Sequence, residues 1–251
     1  MKRLILFLIV SLLSINSILG GTIDPEIPDS KYIEYAKKFI YIGKLCGKTD
    51  DNKTYCASAV AIKPKWIITA AHVVGNSKTC TLIINSKKIP VSKIISHKDF
   101  NENNFGTYDI AIGKCDEDIG LNFYPDLYDK TDEVNKICSI SGFGLHGTFV
   151  TGANKSDDKQ RAGSNIIDSI DRQLLICSPS KGRNKTALEF LMCSGDSGGG
   201  LFIENRLAGI NSCVLAIDKK TDSTYGDESG HTRISIHRDW ILENIELNED
   251  K

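Results

Sequence analysis

Runs of five to nine apolar and β-branched residues, each bounded by Gly, Asn, Asp or Lys, recur along the chain: YCASAVAI, WIITAA, TCTLIIN, SKIIS, YDIAIGKC, KICSISGFG, GGGLFI and RLAGINSCV. Such pieces are too short for core helices and match the length of strands that reverse at every turn. A chain built this way folds as an all-β barrel or sandwich, with most connections made by turns. One helical stretch stands apart: in HRDWILENIEL, Trp240, Ile241, Ile245 and Leu247 share a face and predict a terminal helix that closes the β structure. The polar segment PDLYDKTDEVNK, Pro125 to Lys136, divides the strand-rich chain into halves of similar size. TGANKSDDKQRAG, Thr151 to Gly163, is polar enough to predict an exposed loop.

The amino terminus sets the compartment. Lys2 and Arg3 precede an apolar run from Leu4 to Leu13, followed by small and polar residues, the pattern of a secretory signal peptide. The run is shorter than the roughly 20 residues that span a bilayer, so no membrane anchor is expected. Residues 1–17 are therefore read as signal peptide and residues 18–251 as the mature chain, secreted to the extracellular space. In that compartment the eight cysteines, with no C-x-x-C pair and no H-E-x-x-H, read as disulfide partners rather than metal ligands. Sequons at Asn52, Asn154 and Asn184 fit a glycoprotein. A formal net charge of −1, with basic residues scattered, gives no field for nucleic acid.

One motif is a decoy. GFGLHG, Gly142 to Gly147, satisfies G-x-G-x-x-G, but a dinucleotide site needs a helix opening at that turn to face the pyrophosphate. Strand-like residues follow instead, so no cofactor is expected.

The chemistry is carried by MCSGDSGGG, Met192 to Gly200. By itself this is a polar turn. A serine hydroxyl becomes a nucleophile only beside an imidazole that takes its proton and a carboxylate that orients the imidazole. His72 lies in WIITAAHVV, just after an apolar strand, and Asp109 is embedded in the apolar YDIAIGK. A lone histidine or aspartate in such places is ordinarily structural. Together, TAAH, DIAI and GDSGG stand in the order His, Asp, Ser at long separations, the order of the chymotrypsin arrangement.

With these motifs in place the chain resembles the trypsin-like serine peptidases of the chymotrypsin fold, from ILGGT at Ile18 to the terminal helix. CASAVAIKPKWIITAAH resembles the strand leading to the family's histidine, HKDFNENNFGTYDIAI the approach to its aspartate, CSISGFG the first strand of its second barrel, CSGDSGGGLF its nucleophile loop and LAGINSCV its substrate-receiving strand. The resemblance implies two six-stranded antiparallel β-barrels with a carboxy-terminal helix, the first over about 18–130 and the second over about 131–251. It implies that Ser197 attacks the scissile carbonyl, that His72 shuttles the proton and that Asp109 fixes the histidine tautomer. The N–H groups of Gly195 and Ser197 would form the oxyanion hole. Ser212 would back Asp109, and Cys213 and Val214 would receive an extended polypeptide by strand addition. A monomer is expected, with proteinaceous serine-protease inhibitors as further partners. A catalytically silent binding module and a small-molecule esterase are the competing functions.

The resemblance also implies an activation pair between the ammonium of Ile18 and Asp196. No Arg or Lys precedes Ile18, so cleavage by signal peptidase after Ser17 is expected to make that terminus directly. The substrate pocket is assigned to Leu191, Met192, Ser212, Cys213, Val214 and Gly230. Leu191 stands where trypsin-like enzymes carry aspartate, which disfavours Arg or Lys at P1. Val214 in place of glycine favours small or medium apolar residues. His231 as a receptor for an acidic P1 side chain is the alternative. Val73 and Ile203 replace cysteines usual in the family, so re-pairing is implied: Cys56 with Cys46 or Cys80, and Cys193 with Cys177 or Cys213.

Overall fold

In a computed structural model the protein is described over residues 21–49, 52–75, 77–104, 106–183 and 185–249. The described residues open with strand β1 (Thr22–Ile23) and helix α1 (Asp29–Ala36), then run through β2 (Ile42–Thr49), β3 (Thr54–Lys63), β4 (Trp66–Thr69), the single turn α2 (Ala71–Val74), β5 (Ser77–Ile84), β6 (Lys87–Ser96) and β7 (Ala111–Cys115). Strands β2, β3, β4, β7, β6 and β5 close into a six-stranded barrel. In β6, Ile89 and Val91 point inward while Lys88, Pro90 and Ser92 face out, the two-residue alternation of a strand with one wet face. β3 lacks that alternation: Ser58, Ala59, Val60 and Ala61 are all buried. One face of β3 lines the barrel and the other lies against the second half of the chain, so small residues are required on both.

The second half contributes β8 (Ile137–Gly142), β9 (His146–Thr148), β10 (Gly152–Lys155), β11 (Arg161–Ile166), β12 (Ser169–Asp171), β13 (Leu174–Cys177), β14 (Phe190–Leu191), β15 (Gly200–Ile203), β16 (Arg206–Leu215), β17 (Glu228–Arg233) and helix α3 (Arg238–Glu246). Six of these strands, in the order β11-β8-β15-β16-β17-β13, carry β12 as a seventh at the edge. The sheet curls: β8 and β13 are separated by three strands, yet the sulfurs of Cys138 and Cys177 lie 3.8 Å apart in the interior. A small sheet, β10-β9-β1-β14, caps this half.

The termini cross over. β1 pairs with β14 and β9, and α1 packs against β11, so residues before the first barrel rest on the second half. Arg161 of β11, fully buried, is gripped by Asp29 of α1 (2.6 Å) and by Asp157 (2.8 Å). At the other end, Ile241 and Ile245 of α3 join the core of the first barrel, and Lys114 donates to the carbonyl of Asn248 at 2.6 Å. Of the face expected for this helix, Trp240 is partly buried. Leu247 caps the helix and is exposed, because the helix ends before its side chain turns inward.

The link at 125–136 is pinned rather than loose: Tyr128 is buried, and the buried Glu133 binds Arg233 (2.8 Å) and Ser235 (2.6 Å). The stretch 151–163, expected as an exposed loop, instead supplies β10 and the start of β11, with Arg161 and Ala162 buried.

Cys46 and Cys56 face each other across β2 and β3 and are bridged. Cys80 instead lies 3.3 Å from the hydroxyl of Tyr55. No bridge joins Cys193 to Cys177 or Cys213, which corrects that expectation. The reason is orientation: Cys193 donates its thiol to the carbonyl of Leu145 and meets the N–H of Gly21 at 3.3 Å, whereas Cys177 faces Cys138 inside the curl of the seven-stranded sheet.

Candidate active site

His72 sits in α2, the turn that follows β4, and Asp109 stands two residues before the start of β7, which pairs with β4. Neighbouring strands thus deliver the two side chains to one edge of the first barrel. Asp109 Oδ2 lies 2.8 Å from His72 Nδ1, and Oδ1 accepts the backbone N–H of His72 at 2.9 Å. Two bonds from one carboxylate to one residue fix both its backbone and its ring. Ser212 of β16 donates to Oδ2 at 2.5 Å from the opposite half, and Thr232 donates to the Asp109 carbonyl at 3.0 Å.

The carboxylate is fully buried, which by itself would raise its pKa. The charge and hydrogen bond of His72, with the bonds from Ser212 and the His72 N–H, outweigh burial and hold it below the ordinary carboxylate range. Burial likewise pulls His72 down, and Asp109 more than reverses this, so the imidazole lies above its usual 6.5. The pair is therefore Asp⁻ beside an imidazole with enhanced proton affinity.

Ser197 is carried on the loop between β14 and β15, which is seated on the first barrel. Its carbonyl accepts the N–H of Ser58 at 2.9 Å. At the next residue, Gly198 (φ +81°), a Cβ would lie 2.1 Å from the Ser58 carbonyl and 2.1 Å from Thr69 Oγ1. Only glycine permits that approach, and Thr69 is three residues from His72.

The loop's backbone is anchored carbonyl by carbonyl. Ser194 O accepts Leu145 N–H at 2.7 Å, Gly195 O accepts the Ser58 hydroxyl at 3.0 Å, and Asp196 O accepts Gly199 N–H at 2.8 Å and Asn211 Nδ2 at 3.1 Å. A peptide unit is planar, so each pinned carbonyl aims the N–H that follows it the opposite way. Pinning Ser194 and Asp196 thereby orients the amides of Gly195 and Ser197.

Asp196 is fully buried and accepts the N–H groups of Gly144 (2.8 Å) and Cys193 (3.0 Å). Burial outweighs these bonds and raises its pKa to about 7. The glycines of the apparent dinucleotide motif have their reason here: a Cβ on Gly142 or Gly144 would come within 2.4 or 2.6 Å of the Asp196 carboxyl. Ile18 lies outside the described residues.

Of the residues expected to line the pocket, Cys213 and Val214 are half-exposed on β16, and Ser212 is buried against Asp109. Leu191 and Met192 are buried, Leu191 opposite Thr22 in the small sheet, and Gly230 is buried against Cys213 and Leu174. His231 is fully buried, with Nδ1 on Asn211 (2.9 Å) and Nε2 on Ser229 (2.9 Å). It presents no nitrogen to a substrate, which overturns the alternative of an acidic P1 receptor. Ser58, Asn211 and Thr232 were not anticipated. A polar residue inside the apolar run LAGINSCV was the one signal available for Asn211.

The family model described as "Trypsin" matches residues 35–241. The chain belongs to the trypsin family. It is a serine endopeptidase, a hydrolase. Among curated relatives, chymase of Macaca fascicularis is 25% identical over 98% of this chain and 97% of that protein. Chymotrypsin-like elastase family member 1 of the same species is 26% identical over 74% of this chain and 77% of that protein. Two solved structures share the fold: neuropsin, a serine protease expressed in the limbic system of mouse brain (TM-score 0.68, 19% identity, 84% of this chain and 96% of that one), and HL collagenase (TM-score 0.67, 20% identity, 92% and 98%). Membership in this trypsin family implies polypeptide substrates. Among the described residues no helix is long and apolar enough to cross a membrane.

Proposed function

We propose that this protein is a secreted endopeptidase that cleaves peptide bonds through an acyl-enzyme, with Ser197 as nucleophile, His72 as general base and acid, and Asp109 as the group that orients and charges the imidazole. The observation that carries the reading is the pair of hydrogen bonds that joins His72 to the Asp109 carboxylate, reinforced by Ser212 from the other half. This fixes the proton on Nδ1 and leaves Nε2 to accept from a hydroxyl. The N–H groups of Gly195 and Ser197 stabilise the oxyanion, each donor contributing roughly 3 kcal/mol to the transition state.

An extended substrate adds to the half-exposed backbone at Cys213 and Val214 and seats an apolar P1 side chain toward Leu191 and Met192. No carboxylate stands at Leu191 to receive Arg or Lys. The buried Asp196 calls for a cation, since an unpaired buried carboxylate is costly. The ammonium of Ile18, released by signal peptidase, is the proposed partner. Gly21 lies beside Cys193, whose N–H holds the Asp196 carboxylate, and only Leu19 and Gly20 separate it from Ile18.

The decisive experiment labels the secreted protein with a fluorophosphonate probe and measures hydrolysis of peptides bearing Ala, Val, Leu, Phe, Glu or Arg at P1. Labelling, cleavage after apolar residues and a loss of roughly 10⁶-fold in Ser197→Ala are expected. Unchanged peptide hydrolysis in Ser197→Ala overturns the nucleophile, and rapid cleavage after Arg alone overturns the pocket. Amino-terminal sequencing tests the activation pair, which fails if fully active enzyme begins at Gly21.

A further inference from the structure

We propose that Asn211, His231 and Ser229 form a buried polar chain that holds the carbonyl of Asp196, and through it aims the N–H of Ser197 at the oxyanion; the three are positioning residues for the reaction proposed above, on which this inference rests.

Asn211 Nδ2 has two hydrogens, and both are directed: one to Asp196 O and one to Ser141 O, each at 3.1 Å. The amide oxygen is therefore left facing His231 Nδ1 at 2.9 Å. An amide oxygen only accepts, so Nδ1 carries the ring proton, and Nε2 accepts from the Ser229 hydroxyl at 2.9 Å. Burial pushes the imidazole down to about 3, which keeps the ring neutral and in this one tautomer. Asp196, Asn211, Ser229 and His231 are all fully buried. A polar chain so placed is stable only when every member is satisfied, and then it is rigid.

Its point of application is specific. Asn211 reaches the carbonyl immediately before the nucleophile. The opening it uses is made by the loop itself: a Cβ on Gly199 would lie 2.3 Å from Ser141 O, 2.8 Å from Asn211 Nδ2 and 2.9 Å from Asp196 O. At its far end, Ser229 stands in register between Val214 of β16 and Cys177 of β13. The chain thus runs from the wall proposed to receive substrate to the amide proposed to receive the oxyanion, so a displacement at the wall is transmitted to the transition state.

The test uses the full secreted enzyme and its Asn211→Leu, His231→Phe and Ser229→Ala variants, with Ser197→Ala as control. The readouts are kcat, KM and the inhibition constants of a peptide aldehyde and the matching peptide alcohol, built on the best P1 residue. Ser197 Oγ–H adds across the aldehyde C=O, forming a C–O bond and placing the former carbonyl oxygen in the oxyanion hole; the alcohol makes only ground-state contacts. Asn211→Leu is expected to lower kcat and aldehyde affinity by about tenfold to a hundredfold, less than or equal to removal of one donor, with KM and alcohol affinity within about twofold. His231→Phe is expected to lower both by about tenfold, and Ser229→Ala by about threefold, in the same pattern.

Wild-type kcat in a folded Asn211→Leu or His231→Phe enzyme overturns the proposal. So does an equal loss of aldehyde and alcohol affinity, which marks a general disturbance of the cleft. If Asn211→Leu does not fold, the split between aldehyde and alcohol in the two milder variants decides the matter. Hydrolysis that survives Ser197→Ala overturns the triad instead, a separate failure.

Discussion

The two halves hold their share of the site by different means. In the first barrel, the buried side chains are almost wholly apolar, with Ser58, Thr69 and Asp109 as buried polar groups, and packing of Ile67, Ile68, Leu82 and Ile112 sets where His72 and Asp109 lie. The second half buries Ser141, Arg161, Asn165, Glu189, Asp196, Asn211, Ser229, His231 and Thr232, and its loop around Ser197 is suspended from hydrogen bonds. The imidazole and its carboxylate need one rigid separation, which packing supplies. Two aimed amides need orientation, and hydrogen bonds have direction where dispersion has none.

This contrast can be broken most severely at the buried carboxylate of the first barrel, Asp109. Asp109→Asn is expected to lower kcat by about 10⁴-fold, because the amide presents the wrong partner to Nδ1 while folding is retained. Steady-state rates with melting curves check it. Ile68→Ala is expected to act the other way, costing about 2–5 kcal/mol of stability in denaturant titration with kcat at 25 °C changed little once the protein is folded. A core truncation that instead collapsed kcat at unchanged stability would erase the distinction drawn here.

The pH profile sharpens it further. The pKa of His72 is raised, so kcat/KM should climb with pH through a midpoint above 6.5, and Asp109→Asn should bring that midpoint down. Asp196 behaves oppositely to a salt-bridged carboxylate. Its folded pKa, about 7, lies above the ordinary aspartate value of 3.8, so in protein lacking an ammonium partner the folded state binds more protons and stability falls as pH rises from about 4 to 7. Enzyme beginning at Ile18 should lose less over that window than a chain extended by one residue. The smallest effect belongs to the exposed pair Glu34–Lys37, whose removal is expected to change stability by less than about 1 kcal/mol.

What the sequence disclosed follows the same division. Strand-sized apolar runs and the motifs around His72, Asp109 and Ser197 are local, and the structure brings those segments together. Asn211 lies in one such run, but its partners come from β8, β17 and the loop around Ser197, and no local pattern encodes that meeting. Ser58 was hidden among alanines, since a serine there looks like another small residue until Gly195 O is found beside it. Of the expected pairings Cys46–Cys56 is present, whereas those of Cys193 fail for a related reason: pairing depends on which way a strand end faces, and Cys177 faces Cys138 across the curl of the sheet. With the two sulfurs so near, non-reducing peptide mapping of the protein is expected to find Cys138 joined to Cys177.

The crossed termini have a mechanical corollary. Because the opening segment is fastened to the later half by Arg161 and the closing helix to the earlier barrel by Lys114, the halves are laced together at both ends as well as at the middle. A protease nick within 125–136 would therefore leave two fragments still clasped, each holding the other's end. The two halves would stay joined with their covalent bridge severed.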